Sequence, residues 1–360
     1  MITLFVSLFI SLSSLLFGEH DSVELVFAGD AMQHTAQLNA AKTSNGTYSF
    51  EGCFDAITPY VQAADYAVVN LETPIGGGNY SGYPMFCAPD SYSIALKNAG
   101  FDLMLTANNH ALDRRDKGVK RTLDILDQQG LEHVGTYRNK ADREKALPFI
   151  KDINGFKIAF LNYTYGTNGI TVQNDVVVDY INKTEIKKDI TEARANGAEV
   201  ICVCMHWGVE YVLLPNAQQK DLADFLTEQG VDLIVGGHPH VIQPMEMRWS
   251  KTHNKKVFLI YSLGNLISNM TTKDTRGGAL AKVKLVRDEN GNPAIDSASY
   301  RLVFTLQPGS NSKNFRIIPV EDYTSGPLKS NCDVFVNNAE KIFNKHNIDV
   351  PRDTTSIRVK

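Results

Sequence analysis

The stretch that decides the fold is Val231-Asp232-Leu233-Ile234-Val235-Gly236-Gly237-His238-Pro239-His240. Its first half is a short apolar run of the kind that forms a buried strand, and its second half is a turn that carries two histidines. On an extended backbone, side chains at positions i and i+2 point to the same side, so the turn can aim both imidazoles at one point. Two convergent imidazoles after a strand are typical of a metal site.

Four other apolar runs in the chain also end in polar clusters. These clusters are Gly29-Asp30, Asn70-Leu71-Glu72, Asn108-Asn109-His110 and His206-Trp207-Gly208. Continuous apolar runs bounded by turn residues are typical of buried strands in a parallel or mixed sheet that is covered on both faces. In such sheets, ligands bind beyond the carboxyl ends of the strands. We therefore expect all five clusters to converge at one edge of the fold.

Length and composition limit the classes of protein to which this chain can belong. It has 360 residues, of which 43% are hydrophobic and 21% are charged, enough for one large domain or for one domain with an appendage. A formal net charge of -4 and a pI near 6.1 provide no electrostatic basis for binding nucleic acid. A small or anionic substrate would need a local metal ion or a basic pocket.

The amino terminus predicts export. Residues 1–17 are almost wholly apolar and uncharged, and this pattern breaks at Gly18-Glu19-His20-Asp21. The run is shorter than the roughly 20 residues that a spanning helix needs, so we interpret residues 1–18 as a signal peptide. We expect a periplasmic or cell-surface protein. The alternative is an uncleaved segment that anchors the protein to the membrane, because the run does not start with Lys or Arg.

Alternating strands and helices predict an α/β layered architecture. The predicted helices are residues 114–129, 184–195 and 216–229, and the predicted strands include 157–162, 231–235 and 257–262. The segments Gly278 to Arg287 and Ala298 to Leu306 alternate apolar and polar residues on either side of a turn, which indicates a β-hairpin.

The hairpin closes the main domain, which we predict to span residues 19–307. Residues 308–360 are expected to form a small C-terminal extension. It would consist of a polar linker and one helix around Val334 to Phe343.

The five cysteines are compatible with an oxidising compartment. Cys202 and Cys204 alternate with apolar residues on a predicted buried strand, so we interpret both as small core residues. Cys53 and Cys87 lie in aromatic-rich segments that resemble loops, and they could form a disulfide. Cys332 would then remain a free thiol. None of the five is placed like a nucleophile.

Asp30, Glu72 and Asn109 offer oxygen ligands at three strand ends. Taken alone, Asp30 could cap the next turn and Glu72 could be an exposed loop acid. Taken with the other clusters, a metal-binding role is favoured for both. A glutamate in this position can bridge two cations, because each carboxylate oxygen can bind one. The amide oxygen of Asn109 is a weaker but usable ligand.

Histidines complete the predicted centre. His206 ends a strongly apolar strand, and although a lone strand-end histidine is usually structural, three strand-end histidine sites in one chain favour a ligand. Oxygen ligands mixed with imidazoles suit Mn²⁺, Fe or Zn²⁺ better than Ca²⁺, and we expect one or two ions. His110 could protonate a leaving group or stabilise a phosphoryl oxygen, with Asp113 orienting its ring. The alternative for this pair is a satisfied polar turn.

These motifs, in this order and followed by Ser262-Leu263-Gly264-Asn265, resemble the CapA family of bacterial capsule-synthesis proteins. That family belongs with the calcineurin-like metallophosphoesterases and is named for poly-γ-glutamate capsule production. The resemblance covers roughly residues 23–267 and depends on the ordered set of motifs. It implies a layered metallophosphoesterase-like β-sandwich flanked by helices.

The resemblance also implies a ligand set. One metal ion would be held by Asp30, Glu72 and His240, and the second by Glu72, Asn109, His206 and His238. Glu72 would be the bridge and His110 the catalytic acid. The chain departs from the superfamily at Met32, where a histidine is usual, and at Glu72, where an aspartate is usual. The first site is therefore one ligand short unless His34 reaches it.

The leading hypothesis is an exported, metal-dependent hydrolase of the phosphoesterase type that works in capsule or envelope polymer metabolism. Its substrate would be an anionic polymer or a phosphorylated small molecule, and its partners would include membrane proteins of capsule synthesis or export. One alternative is a non-catalytic component of a polymer-export assembly. Another is a hydrolase of amide bonds in a γ-glutamyl polymer, because metal-activated water also attacks carbonyl centres.

Overall fold

The computed structural model describes residues 22–309 and 312–355. The predicted signal peptide, residues 1–18, lies outside the described residues. Within those two ranges, no helix has both the length and the apolar character needed to cross a bilayer.

Strands and helices alternate through most of the described chain. The strands are β1 (Ser22–Ala31), β2 (Tyr66–Leu71), β3 (Leu103–Leu105), β4 (Glu132–Val134), β5 (Thr136–Tyr137), β6 (Phe149–Ile153), β7 (Phe156–Thr164), β8 (Val177–Val178), β9 (Val200–His206), β10 (Leu233–Gly237), β11 (Met245–Ser250), β12 (Lys255–Ile260), β13 (Asn265–Ile267), β14 (Gly277–Arg287), β15 (Pro293–Leu306) and β16 (Arg316–Pro319). The helices are α1 (Thr35–Ala41), α2 (Thr58–Val61), α3 (Asp90–Asn98), α4 (Arg115–Gln129), α5 (Lys140–Ala146), α6 (Lys183–Ala195), α7 (Ala217–Glu228) and α8 (Lys329–His346). The three predicted helices are confirmed as α4, α6 and α7, and the predicted hairpin as β14 and β15.

Two sheets form the centre of the molecule. The first has the strand order β16-β15-β14-β1-β2-β3-β4, and β13 also pairs with β1. The second has the order β11-β12-β10-β9-β7-β6, while β5 and β8 form a separate pair. Strands β1 to β4 of the first sheet run parallel, as do β7, β9, β10 and β12 of the second. Both sheets are therefore mixed, with a parallel part that carries the predicted strand-end clusters.

The two sheets pack face to face around one apolar core. Phe27 and Val68 of the first sheet belong to the same buried cluster as Phe160 and Phe258 of the second. Each fully buried side chain of this size contributes about 1.5–3 kcal/mol of hydrophobic stabilisation. Helices α1 to α3 contribute to a second cluster on the outer face of the first sheet, and α6 and α7 to a third on the outer face of the second. The layers are thus helix, sheet, sheet and helix, and the predicted α/β sandwich is confirmed.

The chain after residue 307 packs onto this sandwich. Strand β16 pairs with β15 at the edge of the first sheet. Helix α8 covers the neighbouring surface, with Phe335 and Phe343 against Phe304 and Tyr300 of β15 at ring distances of 6.0 and 4.5 Å. The predicted helix in this region is confirmed and is longer than expected. The predicted linker contains strand β16, which the sequence pattern missed because four residues are too few to show alternation.

All five cysteines are buried free thiols, so Cys53 and Cys87, whose pairing the sequence left open, do not form a disulfide. Cys53 packs in the apolar cluster outside the first sheet, whereas the thiol of Cys87 lies 3.4 Å from the carbonyl oxygen of Gly77. Cys202 and Cys204 lie on β9 in the core between the sheets, as predicted. Burial accounts for these thiols without a disulfide.

Candidate metal centre

The polar clusters predicted from the sequence converge at one edge of the sandwich. Asp30 lies in β1, and Glu72 and Asn109 follow β2 and β3. His206 ends β9, and His238 and His240 follow β10. All six side chains are buried. The parallel strands of both sheets therefore deliver their carboxyl ends to a single site, as the alternation of strands and helices predicted.

Glu72 occupies the centre of this site. Its Oε1 lies 3.6 Å from Nε2 of His206 and 3.7 Å from Nε2 of His240. Among the described residues, no group forms a hydrogen bond with this buried oxygen. Burial, reinforced by the charge of Asp30, raises the pKa of Glu72 well above its usual range. A buried carboxylate oxygen without a donor is costly unless a cation compensates it.

Asp30 stands beside Glu72 and is held by its neighbours. Its Oδ1 accepts a hydrogen bond of 2.8 Å from Nδ2 of Asn70, and its Oδ2 lies 3.2 Å from Nδ1 of His240. Burial acts to raise the pKa of Asp30, but the hydrogen bond and charge of His240, together with the hydrogen bond from Asn70, hold that pKa well below its usual range. Asp30 is therefore ionised at neutral pH, as a metal ligand must be.

Two imidazoles of the site, those of His206 and His238, are kept neutral. Burial, with the charge of His238, lowers the pKa of His206 well below its usual range. Burial, with the charge of His240, lowers the pKa of His238 to about 3. Nδ1 of His238 is buried without a hydrogen-bond partner among the described residues. Neutral imidazoles present the free lone pair that a metal ion requires.

Ligand atoms from five residues are close enough to bind metal together. Glu72, His238 and His240 form one group, and Asp30, Glu72 and His206 form another, each with its ligand atoms within 4.8 Å of one another. The amide oxygen of Asn109 lies 2.9 Å from Nε2 of His206 and extends the second group. The mixture of carboxylates and neutral imidazoles, with unpartnered atoms on Glu72 and His238, fits a divalent transition metal. The division of these ligands between two ions stays a prediction.

The turn that carries two of the histidines is not extended, so that part of the sequence prediction is wrong. His238 and His240 have φ values of +99° and +57°, in the left-handed region that residues with a side chain rarely adopt. The N–H of His238 lies 3.3 Å from Oδ2 of Asp30, and the carbonyl oxygen of Pro239 accepts a hydrogen bond of 2.8 Å from the N–H of Tyr211. These contacts hold a strained backbone at the site. Gly237 is required because a Cβ there would lie 2.8 Å from Oδ1 of Asp30.

His34 does not supply the ligand that is absent at Met32. It lies at the start of α1, where its Nδ1 accepts a hydrogen bond of 3.3 Å from the N–H of Asn269. It belongs to neither group of potential metal ligands among the described residues. Burial is the largest cause that lowers its pKa, to about 4, and the charges of His240 and His110 add to it. His34 therefore borders the site as a neutral ring.

His110 and Asp113 form a hydrogen-bonded pair beside the ligands. Nδ1 of His110 lies 2.8 Å from Oδ2 of Asp113, and both side chains are buried. The N–H of Phe86 donates to the same carboxylate oxygen at 2.7 Å and fixes its position, and the ring of Phe86 contacts His110 edge to face at 4.6 Å. A carboxylate acceptor places the proton of His110 on Nδ1, so Nε2 is the nitrogen that can exchange a proton with a substrate.

Comparison with known families agrees with this geometry. The family described as "Bacterial capsule synthesis protein PGA_cap" matches residues 24–270. The chain belongs to this family. The resemblance inferred from the order of the motifs is therefore confirmed, and the matched range contains every residue of the candidate metal centre.

Two relatives of the PGA_cap chain have been named for their roles. One is "Capsule biosynthesis protein CapA" of Bacillus anthracis, 28% identical over 291 residues that cover 77% of this chain and 67% of the relative. The other is "PGA biosynthesis protein CapA" of Bacillus subtilis (strain 168), 30% identical over 279 residues that cover 75% of this chain and 70% of the relative.

Solved structures with a similar fold are hydrolases. The NAD nucleotidase of Haemophilus influenzae matches 93% of this chain at 12% identity with a TM-score of 0.50, and the match spans 65% of that protein. A putative 5'-nucleotidase from Staphylococcus aureus matches 89% of this chain at 14% identity with the same TM-score, and the match spans 58% of that protein. At these identities the likeness shows the fold alone, which is that of the metallophosphoesterases.

The sequence prediction left several residues of the site out of the ligand set or missed them. Asn70 contacts Asp30, lies 3.3 Å from Nδ1 of His206 and separates two ligands. Asn265 places its amide oxygen 3.1 Å from Nδ1 of His240. Asn70 ends the same apolar run that delivers Glu72, and Asn265 follows a similar run, which was the available signal. Tyr211 was missed because a tyrosine in a loop has no distinctive spacing.

Proposed function

We propose that this PGA_cap protein is an exported, metal-dependent hydrolase of the phosphoesterase type that acts in the synthesis of a capsule or related envelope polymer. The observation that carries the proposal is Oε1 of Glu72, which is buried between two imidazoles and has no hydrogen-bond partner among the described residues. A carboxylate with only a structural role would be paired with a donor. The surroundings of Oε1 of Glu72 favour the binding of a divalent cation.

The residues of the site have separate roles in this proposal. Asp30, Glu72, Asn109, His206, His238 and His240 would hold one or two ions. When bound, such ions stabilise negative charge on a phosphoryl group and activate water for attack. Asn70 and Asn265 hold ligands in place through the contacts described above, and they restrict how far Asp30 and His240 can turn.

His110 supplies the proton chemistry. With Asp113 holding Nδ1–H, a protonated Nε2 donates its proton to the oxygen of the leaving group as the phosphorus–oxygen bond breaks. The edge of the Phe86 ring packs against His110 and excludes water from one side of the imidazole. A non-catalytic scaffold has no need for an oriented histidine at this position, which favours the enzyme over the scaffold alternative.

Different observations support the proposed role in polymer synthesis and the proposed export of the protein. Relatives that align over most of this chain are named for capsule and PGA biosynthesis, which supports an anionic polymer or a phosphorylated precursor as substrate. Membrane proteins of capsule synthesis or export are the proposed partners. Export is proposed from the apolar run at residues 1–17 alone. Fractionation of cells that express the full chain tests it, and recovery only in the cytoplasm would reject export.

The decisive experiment combines metal analysis with a substrate screen. The purified full chain is loaded with Mn²⁺, Fe²⁺ or Zn²⁺, its bound metal is measured, and phosphomonoesters, phosphodiesters and γ-glutamyl amides are tested as substrates. We expect bound metal and hydrolysis of a phosphate ester. Absence of both would reject the proposal, and hydrolysis of γ-glutamyl amides alone would assign the site to a different bond.

His110 provides the matched test of catalysis. His110→Asn should keep the bound metal and lower turnover on the order of 10²- to 10³-fold, because it removes the proton donor and leaves the ligands intact. His253→Asn, on the exposed turn before β12, is the control and should change neither quantity. Equal turnover in both variants would remove His110 from the mechanism.

A further inference from the structure

The three histidines of the candidate metal centre differ in how their rings are held. Nε2 of His206 lies 2.9 Å from the amide oxygen of Asn109, and Nδ1 of His240 lies 3.1 Å from that of Asn265. Nδ1 of His238, in contrast, is buried without a hydrogen-bond partner among the described residues. A histidine that binds metal usually donates the N–H of its other ring nitrogen to a carboxylate, a carbonyl oxygen or water. The orientation of the His238 ring therefore has a different source.

The ring of Tyr165 packs against that of His238. The two ring centres lie 4.5 Å apart with an angle of 45° between the planes, and the tyrosine ring is nearly parallel to that of His206 at 6.4 Å. The other rings near His238 are those of His206 and His240, at 4.8 and 6.0 Å, and both are candidate ligands. Among the ring contacts of the described residues, Tyr165 is thus the partner of His238 that lies outside the candidate ligand set. Close packing of this kind restricts the rotamers of a side chain.

The end of β7 holds Tyr165 itself in place. The N–H of Tyr165 donates to the carbonyl oxygen of His206 at 3.0 Å, and the N–H of the preceding residue, Thr164, donates to that of Asp179 at 2.9 Å. Tyr165 is 45% exposed, whereas His206 and His238 are buried. The tyrosine therefore covers the two imidazoles on their solvent side, and its backbone is fixed by hydrogen bonds.

A second tyrosine of the same site provides a comparison. The ring of Tyr211 lies 6.2 Å from that of His240, and Tyr211 is 54% exposed. Nδ1 of His240, however, lies 3.1 Å from the amide oxygen of Asn265 and 3.2 Å from Oδ2 of Asp30. These polar contacts set the orientation of His240 without the ring of Tyr211.

We infer that Tyr165 is a positioning residue for metal binding, because the packing of its ring, in place of a hydrogen bond, holds the imidazole of His238 in the orientation that binds a metal ion. Without this ring, His238 gains rotamer freedom that is lost again when metal binds, so the affinity for metal falls. The contact is made by the aromatic ring, and the hydroxyl group is not needed for it. The inference rests on the metal-binding part of the proposed function.

Three variants separate the ring of Tyr165 from its hydroxyl and from a neighbouring ring, and titration of the purified full chain with Mn²⁺ measures their affinities. We expect Tyr165→Ala to lower metal affinity on the order of 10-fold, as for other residues that orient ligands, and Tyr165→Phe to retain it. Tyr211→Ala is the matched control, because it also removes a half-exposed ring beside a histidine, and it should retain wild-type affinity. Wild-type affinity in Tyr165→Ala, or equal losses in Tyr165→Ala and Tyr211→Ala, would overturn the inference.

A double-mutant cycle measures whether Tyr165 acts through His238. We expect Tyr165→Ala to lower the affinity for Mn²⁺ in the wild-type background and to have no further effect in a protein that carries His238→Ala, because the tyrosine then has no imidazole to orient. A general loss of structure would lower the affinity in both backgrounds by the same factor, and that result would contradict the inference.

The crystal structure of metal-free Tyr165→Ala requires neither metal binding nor turnover. We expect the ring of His238 to leave its wild-type orientation, while His240 keeps its contact with Asn265. If Tyr165→Ala does not fold, Tyr165→Leu takes its place, since leucine removes the ring and keeps an apolar side chain. A His238 ring in the wild-type orientation would overturn the inference, also where His238→Ala binds no metal at all.

Failure of this inference is distinguishable from failure of the proposed function. If the wild type binds Mn²⁺ and hydrolyses a phosphate ester, but Tyr165→Ala matches it in affinity and in the orientation of His238, the inference fails and the proposed function stands. If the wild type binds no metal and hydrolyses no phosphate ester, the proposed function fails. The orientation of His238 in Tyr165→Ala then still tests the packing role of the tyrosine.

Discussion

Two buried polar clusters in this molecule differ in how their charges are balanced. In the first, the guanidinium of Arg143 pairs with Asp179 through Nε at 2.5 Å and with Asp189 through Nη2 at 2.6 Å, and the hydroxyl of Tyr163 donates to Asp189 at 2.7 Å. In the second, which is the candidate metal centre, Asp30 and Glu72 lie among the imidazoles of three histidines, and burial lowers the pKa values of His206 and His238. The first cluster contains a permanent cation, whereas the ion-pair contacts of Asp30 and Glu72 among the described residues are with histidines alone.

The difference separates a structural cluster from a binding site. A guanidinium that bonds two carboxylates repays much of the cost of their burial inside the protein. Carboxylates that face imidazoles lack such a permanent cation, so a bound metal ion would lower the cost of their burial. The positions of the two clusters agree with this distinction. The Arg143 cluster connects α5 and α6 to β7, whereas the candidate metal centre lies at the carboxyl ends of the parallel strands.

Replacing the central carboxylate is expected to have the largest effect. Glu72→Gln keeps the shape but removes the charge, so metal affinity and turnover should fall on the order of 10³-fold. The unfolding free energy of the metal-free protein should not fall, because burial disfavours the charged form of Glu72 and the amide of glutamine carries no charge. Metal titration and urea denaturation of the metal-free protein measure the two quantities. Wild-type metal affinity in this variant would contradict the assignment of the site.

Replacing Arg143, the cation of the other cluster, should lower the stability of the protein and leave its metal binding unchanged. Arg143→Met leaves Asp179 and Asp189 unpaired, so the unfolding free energy should fall by about 3–5 kcal/mol. Metal affinity of the folded protein should be unchanged. Urea denaturation and metal analysis check this, with Arg316→Met on the exposed face of β16 as the control. A loss of bound metal from the folded variant would show that the two clusters are coupled.

The pH dependence of the unfolding free energy should reveal the raised pKa of Asp179. Burial, which outweighs the charge of Arg143, raises its pKa from 3.8 to about 6. The folded protein therefore holds this proton more tightly than the unfolded chain, and the stability from this group is lost as pH rises from 3.8 through about 6, by up to about 3 kcal/mol. Asp179→Asn should lack that decline when urea denaturation is followed between pH 4 and 7. If the unfolding free energies of the wild type and Asp179→Asn changed in parallel with pH, the raised pKa of Asp179 would be contradicted.

The smallest expected effect concerns the residue between the ligands. Asn70→Ala removes the amide that hydrogen bonds to Asp30 and contacts His206, so metal affinity should fall by about 10- to 100-fold, as for other residues that orient ligands. Asn290→Ala, on the exposed hairpin turn, is the control. A titration of Mn²⁺ or Zn²⁺ distinguishes them. Unchanged affinity would show that the ligands are held without Asn70.

The location of the centre was predictable from the sequence because it depends on a general rule. Continuous apolar runs form buried strands, parallel strands end at the same edge, and each run here ends in a potential ligand. The candidate ligand residues could therefore be selected without a structure. The conformation of the turn at His238 and His240 could not, because its positive φ values depend on contacts with Asp30 and Tyr211.

Other errors have the same physical origin. Loop-like composition left a disulfide between Cys53 and Cys87 open, but Cys53 packs under the helices outside the first sheet and both thiols are free. The short strand β16 acquires its conformation from pairing with β15 rather than from its own pattern. In each case a contact that is distant along the chain outweighed the local signal.

The sequence by itself determined the order of the buried strands and the kind of side chain at the end of each, because hydrophobic periodicity and residue chemistry are local properties. Only the tertiary structure decided which of these side chains meet. The backbone N–H of His238 reaches Asp30 across 208 positions, and Asn70 reaches His206 across 136. Such contacts exist because the two sheets pack on one core and bring their edges into register. That packing leaves Oε1 of Glu72 without a hydrogen-bond donor among the described residues.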